Sequence, residues 1–298
     1  MQSIPPPFRE RYDSIVSDKF YEYLEKPLPR SFRINNLKAN KKEVLERFES
    51  YGIELKPVTW YSDAFISDSR IGNTIEHFMG WIYVQELTSM LPPLIMSKEL
   101  GRTILDAAAA PGSKTTQLAD LMENKGLIVA NDISYLRTKA LKSNLEKLGV
   151  INTVVTNYNL KNFPKVKFDA ILLDAPCSSE GTIRKNPDIL SIWSIKDIIG
   201  KSRLQKDLIL KAYDLLKEGG YLIYSTCTFA PEENEEVVNH LLENREVRIE
   251  KINLDLKNSP GLDSWQKRDF SPEVKNCCRI WPEQNDTGGF FLCKIRRP

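Results

Sequence analysis

Two hydrophobic rhythms divide the chain. From about residue 100 onward, short runs that are apolar throughout alternate with stretches whose apolar residues recur every three or four positions. The first kind, at 103–107, 127–131, 151–155, 168–174 and 220–226, reads as strands buried on both faces of a parallel sheet. The second, at 113–123, 134–148 and about 195–216, reads as the helices between them. In the second of these helices Ser134 is a candidate cap, Leu136, Ala140, Leu141, Leu145 and Leu148 form the inner stripe, and Gly149 ends it. This alternation predicts an α/β, doubly wound, Rossmann-like domain with its ligand crevice at the carboxyl ends of the strands.

The first 85 residues follow a different order. Tyr12, Ile15, Val16, Phe20 and Leu24 place one apolar face on a helix from Arg9 to Leu24. Pro27-Leu-Pro-Arg ends it, and Ser31-Phe-Arg-Ile-Asn35 alternates as a strand does. Asn40 and Glu43 then open a helix that buries Val44, Leu45, Phe48 and Tyr51 and stops at Gly52. Strand-like pieces follow at 55–60 and 64–67. A small α/β, RRM-like, RNA-binding domain over 1–85 and a catalytic domain over 86–298 are therefore expected, joined through Gly80–Met90.

Composition narrows the function classes. Hydrophobic residues make up 41% and charged residues 28%, as in a soluble globular protein. No apolar run approaches the roughly 20 residues that span a bilayer. Residues Met1–Phe8 lack the apolar segment of a secretory leader, so a cytoplasmic protein with reduced cysteines is expected. The five cysteines, at 177, 227, 277, 278 and 293, form no CxxC pair, and neither a metal site nor a disulfide framework is expected. A net charge of +2 leaves nucleic-acid binding to a local patch.

The candidate chemistry lies at strand ends. Ile104-Leu-Asp-Ala-Ala-Ala-Ala-Pro-Gly-Ser-Lys-Thr115 reads as a buried strand, a small-residue turn and a helix start, a loop against which a ligand can lie close to the backbone. Asp132 follows Gly112 by twenty residues, where an acid would hold the ribose hydroxyls of a nucleoside cofactor. Asp174 and Cys177 end the strand 168–174, and Cys227 ends the strand 220–226. A thiol, an acid and an adenosine cofactor together suit methylation of carbon 5 of a pyrimidine. A thiolate adds to carbon 6 and drives electron density onto carbon 5. The acid stabilises the protonated ring nitrogen, and S-adenosylmethionine supplies the methyl group.

Asp106-Ala-Ala-Ala-Ala-Pro-Gly-Ser-Lys-Thr115, Leu173-Asp-Ala-Pro-Cys-Ser178 and Ser225-Thr-Cys-Thr-Phe229 resemble the signature motifs of the RNA 5-methylcytosine methyltransferases, the NOL1/NOP2/Sun family. Pro29-Arg-Ser-Phe-Arg-Ile-Asn35, Tyr83-Val-Gln-Glu-Leu-Thr-Ser89, Gly181-Thr-Ile-Arg-Lys-Asn-Pro187, Pro231-Glu-Glu-Asn-Glu235 and Gly288-Gly-Phe-Phe291 extend the resemblance over essentially the whole chain. It implies a class I S-adenosylmethionine-dependent fold. Cys227 would be the nucleophile, Cys177 would assist release of the covalent adduct, and Asp174 and Lys114 would line the cytosine pocket. Ala108, Ala109, Ala110, Pro111, Gly112, Ser113 and Lys114 would form the cofactor loop, with Asp132 on the ribose, Arg137 nearby and Asp174 adjoining. The family usually carries Cys where Ala108 stands and Asp where Asn159 stands; an amide at 159 can still bond the adenine edge. The layout is that of the archaeal tRNA enzymes, so tRNA is the expected substrate, ribosomal RNA the alternative, and a monomer the expected state.

Other readings stand beside this one. Pro111-Gly-Ser-Lys-Thr-Thr116 resembles a phosphate loop but has Ala108 and Ser113 where that loop needs glycine. A DNA cytosine methyltransferase would not need the Thr-Cys motif, and a non-catalytic RNA-binding scaffold would not need both thiols. Arg184-Lys185 and 161–167 fit either solvated loops or phosphate contacts. Asp169 reads as a strand cap, and Cys277, Cys278 and Cys293 as packing residues.

Overall fold

The computed structural model describes residues 4–97 and 103–298. The first three residues of the N-terminal stretch, and the start of the alternating half near residue 100, lie outside them.

The expected helix from Arg9 to Leu24 is two helices, α1 (Pro6–Tyr12) and α2 (Asp18–Glu25). The chain breaks at Ser17, whose extended backbone starts α2, and Tyr21 Oη bridges the break to Asp13 Oδ1 at 2.6 Å. The apolar face survives the break: Phe8, Tyr12, Phe20 and Leu24 pack with Ile183, Leu190, Phe229 and Trp281 of the second half. These two helices thus belong to the packing of the catalytic half.

Next come β1 (Ser31–Ile34), α3 (Lys41–Ser50), β2 (Lys56–Pro57), β3 (Ala64–Ile66), α4 (Ile75–Phe78) and β4 (Ile82–Val84). They form an antiparallel sheet in the order β2-β3-β1-β4, the RRM-like arrangement. Asn40 caps α3 by accepting from Lys42 N at 2.9 Å. Val44 and Phe48 pack on Phe32, Ile34, Phe65 and Ile82. Tyr51, expected inside, is 49% exposed because its hydroxyl reaches Arg47 and Glu76 at the surface.

After α5 (Leu91–Ser97) the second half runs β5 (Thr103–Asp106), α6 (Ser113–Leu121), β6 (Leu127–Asn131), α7 (Tyr135–Lys147), β7 (Thr153–Thr156), β8 (Phe168–Asp174), α8 (Ile189–Ile192), α9 (Ile195–Asp214), β9 (Leu216–Thr226) and α10 (Glu235–Asn244). It closes with β10 (Arg248–Glu250), β11 (Ser259–Pro260), the hairpin β12 (Ser264–Trp265) and β13 (Arg268–Asp269), β14 (Cys278–Ile280), α11 (Pro282–Asn285) and β15 (Phe290–Arg296).

The large sheet has the order β11-β14-β15-β9-β8-β5-β6-β7, with β10 also on β15. Strands β7, β6, β5, β8 and β9 are parallel, and the order reverses between β5 and β8, opening a crevice at their carboxyl ends. The antiparallel strands β10, β11, β14 and β15 were not expected from periodicity. In α7, Leu141, Leu145 and Leu148 are buried, but Leu136 is 74% exposed and Ala140 also faces out, because Thr138 rather than either of them completes the inner stripe. Cys277, Cys278 and Cys293 pack in the core, and Asp169 accepts from Thr103 N and Oγ1, each at 2.8 Å. Among the described residues, no helix is long and apolar enough to cross a membrane.

Candidate active site

Three strand ends and one helix start converge at the crevice. Gly112 has φ +104° and turns β5 into α6; a Cβ there would come within 2.8 Å of Leu141 Cδ1. This turn places Lys114 on the first turn of α6, buried, with its Nζ donating to Asp174 Oδ2 at 2.6 Å and to Ser89 Oγ at 3.0 Å. A cation at a helix N-terminus opposes the helix dipole, so the fold holds it by these two acceptors. Burial disfavours the ammonium, yet the Asp174 carboxylate outweighs that and holds its pKa above the ordinary value. Ser225 Oγ donates to the other oxygen of Asp174 at 2.7 Å.

Beyond Asp174, Ala175-Pro-Cys leaves the sheet, and Ser179 turns the chain in the left-handed region at φ 63°. Such a conformation is costly for a side chain other than glycine and persists only where its surroundings enforce it. It brings Cys177 Sγ to 3.2 Å from Cys227 Sγ. The hydrogen bond from Cys177 lowers the Cys227 pKa, with Lys114 adding in the same direction, while that bond and burial push Cys177 well up. Of the two thiols, Cys227 is thus the one more easily deprotonated.

The Pro-Cys loop is held from behind by buried carboxylates that periodicity did not single out. Glu233 accepts from Ser178 N at 3.0 Å and Gln205 Nε2 at 2.8 Å. Glu180, wholly buried, accepts from Tyr12 Oη, Trp193 Nε1 and Phe229 N. Glu233 lies in the Pro231–Glu235 stretch noted for its resemblance, whereas Glu180 falls between two such stretches, and no local pattern marked it. Gly289 N donates to Gly181 O at 2.9 Å, and a Cβ on Gly289 would meet Phe229 Cε1 at 2.0 Å, so the backbones can meet only as glycines.

A cavity of about 330 Å³ opens beside the thiols. Ala108, Ala110, Asp132, Arg137, Asn159, Asp174, Cys177 and Cys227, all expected there, line it. Ala109, Pro111, Gly112, Ser113 and Lys114 do not line it; they shape the loop behind, with Ala109 N bonded to Asn131 O at 2.8 Å. Tyr158, Leu204, Leu208 and Ile133 supply apolar walls that the sequence did not reveal. Asp132 accepts from Ala110 N at 3.2 Å and Ser134 N at 2.9 Å, with Arg137 Nη1 at 3.4 Å. Asn159 Oδ1 accepts from Lys161 N at 3.1 Å, and the residue lines the cavity. The alanines keep one wall flat and the acid stands at the far end, a donor set suited to an adenosine cofactor.

The two basic stretches resolve separately. Arg184 is buried and donates to Pro27 O, Thr287 O and Asp286, so it is a structural tie and Lys185 alone is exposed. Lys165 and Lys167 precede β8, at the opposite end of the sheet from the crevice. Among the described residues no cluster of three or more His, Cys, Asp or Glu could hold a metal ion.

A doubly wound sheet with this crevice and this thiol pair is that of a class I S-adenosylmethionine-dependent methyltransferase. The family model described as 16S rRNA methyltransferase RsmB/F matches residues 93–296, and that of the N-terminal domain of 16S rRNA methyltransferase RsmF matches residues 4–87. The chain belongs to this RsmB/F family of RNA cytosine-C5 methyltransferases. It is 46% identical to a tRNA (cytosine(49)-C(5))-methyltransferase of Pyrococcus abyssi, over 97% of this chain and 95% of that protein. It is 42% identical to ribosomal RNA small subunit methyltransferase F of Shewanella woodyi, over 95% of this chain but 60% of that longer protein. A crystal structure of a methyltransferase homolog protein from Pyrococcus horikoshii superimposes with a TM-score of 0.87 at 37% identity, over 98% of this chain and 95% of that one.

Proposed function

We propose that the protein methylates carbon 5 of cytosine in tRNA through a covalent adduct on Cys227. The observation that carries this reading is the 3.2 Å thiol pair beside the Lys114–Asp174 ion pair. Ala108, Ala110, Asp132 and Asn159 would hold S-adenosylmethionine, which would supply an electrophilic methyl group. The Cys227 thiolate forms a bond to carbon 6 of the cytosine. Asp174, paired with Lys114, accepts a hydrogen bond from the ring nitrogen, which takes its proton from solvent. After methyl transfer the carbon-5 proton leaves to a base, the electron pair of that bond forms the 5,6 double bond, and the sulfur–carbon bond breaks. Cys177, the protonated partner, stands where it assists this release.

The RNA would enter through the cleft of about 560 Å³ between the two units, where Arg30, Arg70 and Lys185 present exposed cations. The RRM-like sheet turns its Arg33 face to α6, so RNA contacts by the domain over 1–85 would fall on its edges and on this cleft. We place the enzyme in the cytoplasm as a monomer.

The test offers tRNA and small-subunit rRNA transcripts with labelled S-adenosylmethionine, followed by bisulfite sequencing. Label at one cytosine of tRNA is the expected result. Label only in rRNA would move the substrate while keeping the chemistry, and no label in either would overturn the reading.

A further inference from the structure

The network between the RRM-like sheet and Lys114 has a chemical consequence for Cys227. Arg33 sits on β1, wholly buried, a placement that is rare for a guanidinium unless it is fully engaged. Its Nε donates to Gln85 Oε1 at 3.1 Å, and its Nη2 donates to Thr116 Oγ1 on α6 at 2.8 Å. Its Nη1 lies 3.7 Å from Asp120 Oδ2, also on α6. Gln85 passes the connection on: its Nε2 donates to Gln117 Oε1 and to Ser89 O, both at 3.1 Å. Gln117 in turn donates to Met90 O at 2.9 Å. Ser89 Oγ is the second acceptor of Lys114 Nζ.

The fork of Arg33 therefore grips two turns of α6 through Thr116 and Asp120, while Gln85 fixes the segment that carries Ser89. Lys114 lies on that same helix, two residues before Thr116. Its direction depends on both anchors. We infer that Arg33, with Gln85, is a positioning residue for Lys114: it sets the ammonium against Asp174 and within electrostatic reach of Cys227, the proposed nucleophile.

Charge alone does not explain the arrangement. A buried cation serves no purpose in packing that an apolar side chain of similar volume would not serve as well. A planar fork that meets three groups on two elements fixes an orientation, which a lysine point charge cannot do.

This inference rests on the assignment of Cys227 as the nucleophile, and its test separates the two. In the full-length protein, without RNA or cofactor, iodoacetamide alkylation of Cys227 is followed against pH by peptide mass spectrometry in Arg33→Met, Arg33→Lys and Ser89→Ala. The expected result is an alkylation midpoint moved to higher pH in Arg33→Met and Ser89→Ala, with Arg33→Lys in between. The methylation kcat should fall roughly ten- to a hundredfold, the cost of misplacing a catalytic group by about an ångström, while the KM for S-adenosylmethionine stays unchanged. An Arg33→Met protein that melts earlier but keeps the wild-type alkylation midpoint and kcat would show a purely structural role and overturn the inference. Should Arg33→Met fail to fold, Ser89→Ala decides the matter by the same two readouts. Absence of methylation in the wild type would defeat the proposed function, yet the alkylation profiles would still decide whether Arg33 governs Lys114.

Discussion

Cys177 Sγ lies 3.2 Å from Cys227 Sγ, in hydrogen-bond contact, and the two thiols share one cavity while their pKa values are pushed in opposite directions. Neither residue alone would be distinctive; a lone cysteine at a strand end is usually packing. The two thiols differ in ionisation, Cys227 being made easier to deprotonate and Cys177 harder.

That division predicts unequal phenotypes. Cys227→Ala should abolish both methylation and covalent trapping of RNA. Cys177→Ala should accumulate a protein–RNA adduct that survives a denaturing gel. An adduct seen in Cys227→Ala and missing from Cys177→Ala would reverse the two roles.

Lys114→Met removes the partner of Asp174 and one of the charges that lower Cys227. Its kcat should drop at least a hundredfold, and the pH–rate profile should move to higher pH, since more base is then needed to form the thiolate. Steady-state kinetics from about pH 6 to about pH 10, which brackets the ordinary thiol pKa of about 8.5, would show the shift or its absence.

Asp132→Ala should weaken cofactor binding roughly 10- to 100-fold by calorimetry, because it removes the acid at the end of the cavity and strips Ala110 N and Ser134 N of their acceptor. Alkylation of Cys227 should be unaffected. Equal loss of both would mean that the cavity had collapsed.

Asp106 gives a pH dependence of stability. Burial raises its pKa from 3.8 to about 7, against the hydrogen bond it accepts from Thr115 Oγ1 at 2.6 Å. The folded state thus binds a proton that the unfolded chain has released, so stability falls as pH rises from about 4 to about 7. Asp106→Asn, which keeps an acceptor for Thr115, should flatten that part of the denaturation profile; an unchanged slope would contradict the assignment.

Gly289→Ala forces a methyl group into the Phe229 ring, which is buried and cannot swing away. A loss of about 1–3 kcal/mol is expected, measured by urea denaturation. Activity should fall further than stability, because Gly181, on the same close contact, bonds Cys227 O at 2.9 Å.

The sequence by itself determined the parallel core of the sheet, since strands buried on both faces must be apolar throughout and three of the five were followed by a helical period. It also placed Asp106, Asp174, Cys177 and Cys227 at strand ends, because chemistry follows where an apolar run stops. Boundaries were less secure: one apolar face ran across α1 and α2, and periodicity cannot see the turn at Ser17 that separates them. Likewise Leu136 fits the helical spacing of α7 but faces out, since which stripe is inward depends on what the helix packs against. Only the tertiary structure decided that Lys114 stands behind the cavity rather than in it, that Arg184 is a buried tie, and that β15 closes the sheet beside β9. It alone revealed the carboxylates under the Pro-Cys loop and the reach of Arg33 to α6. Such contacts join residues dozens to hundreds of positions apart. Their energy lies in burial and geometry, which no local pattern along the chain encodes.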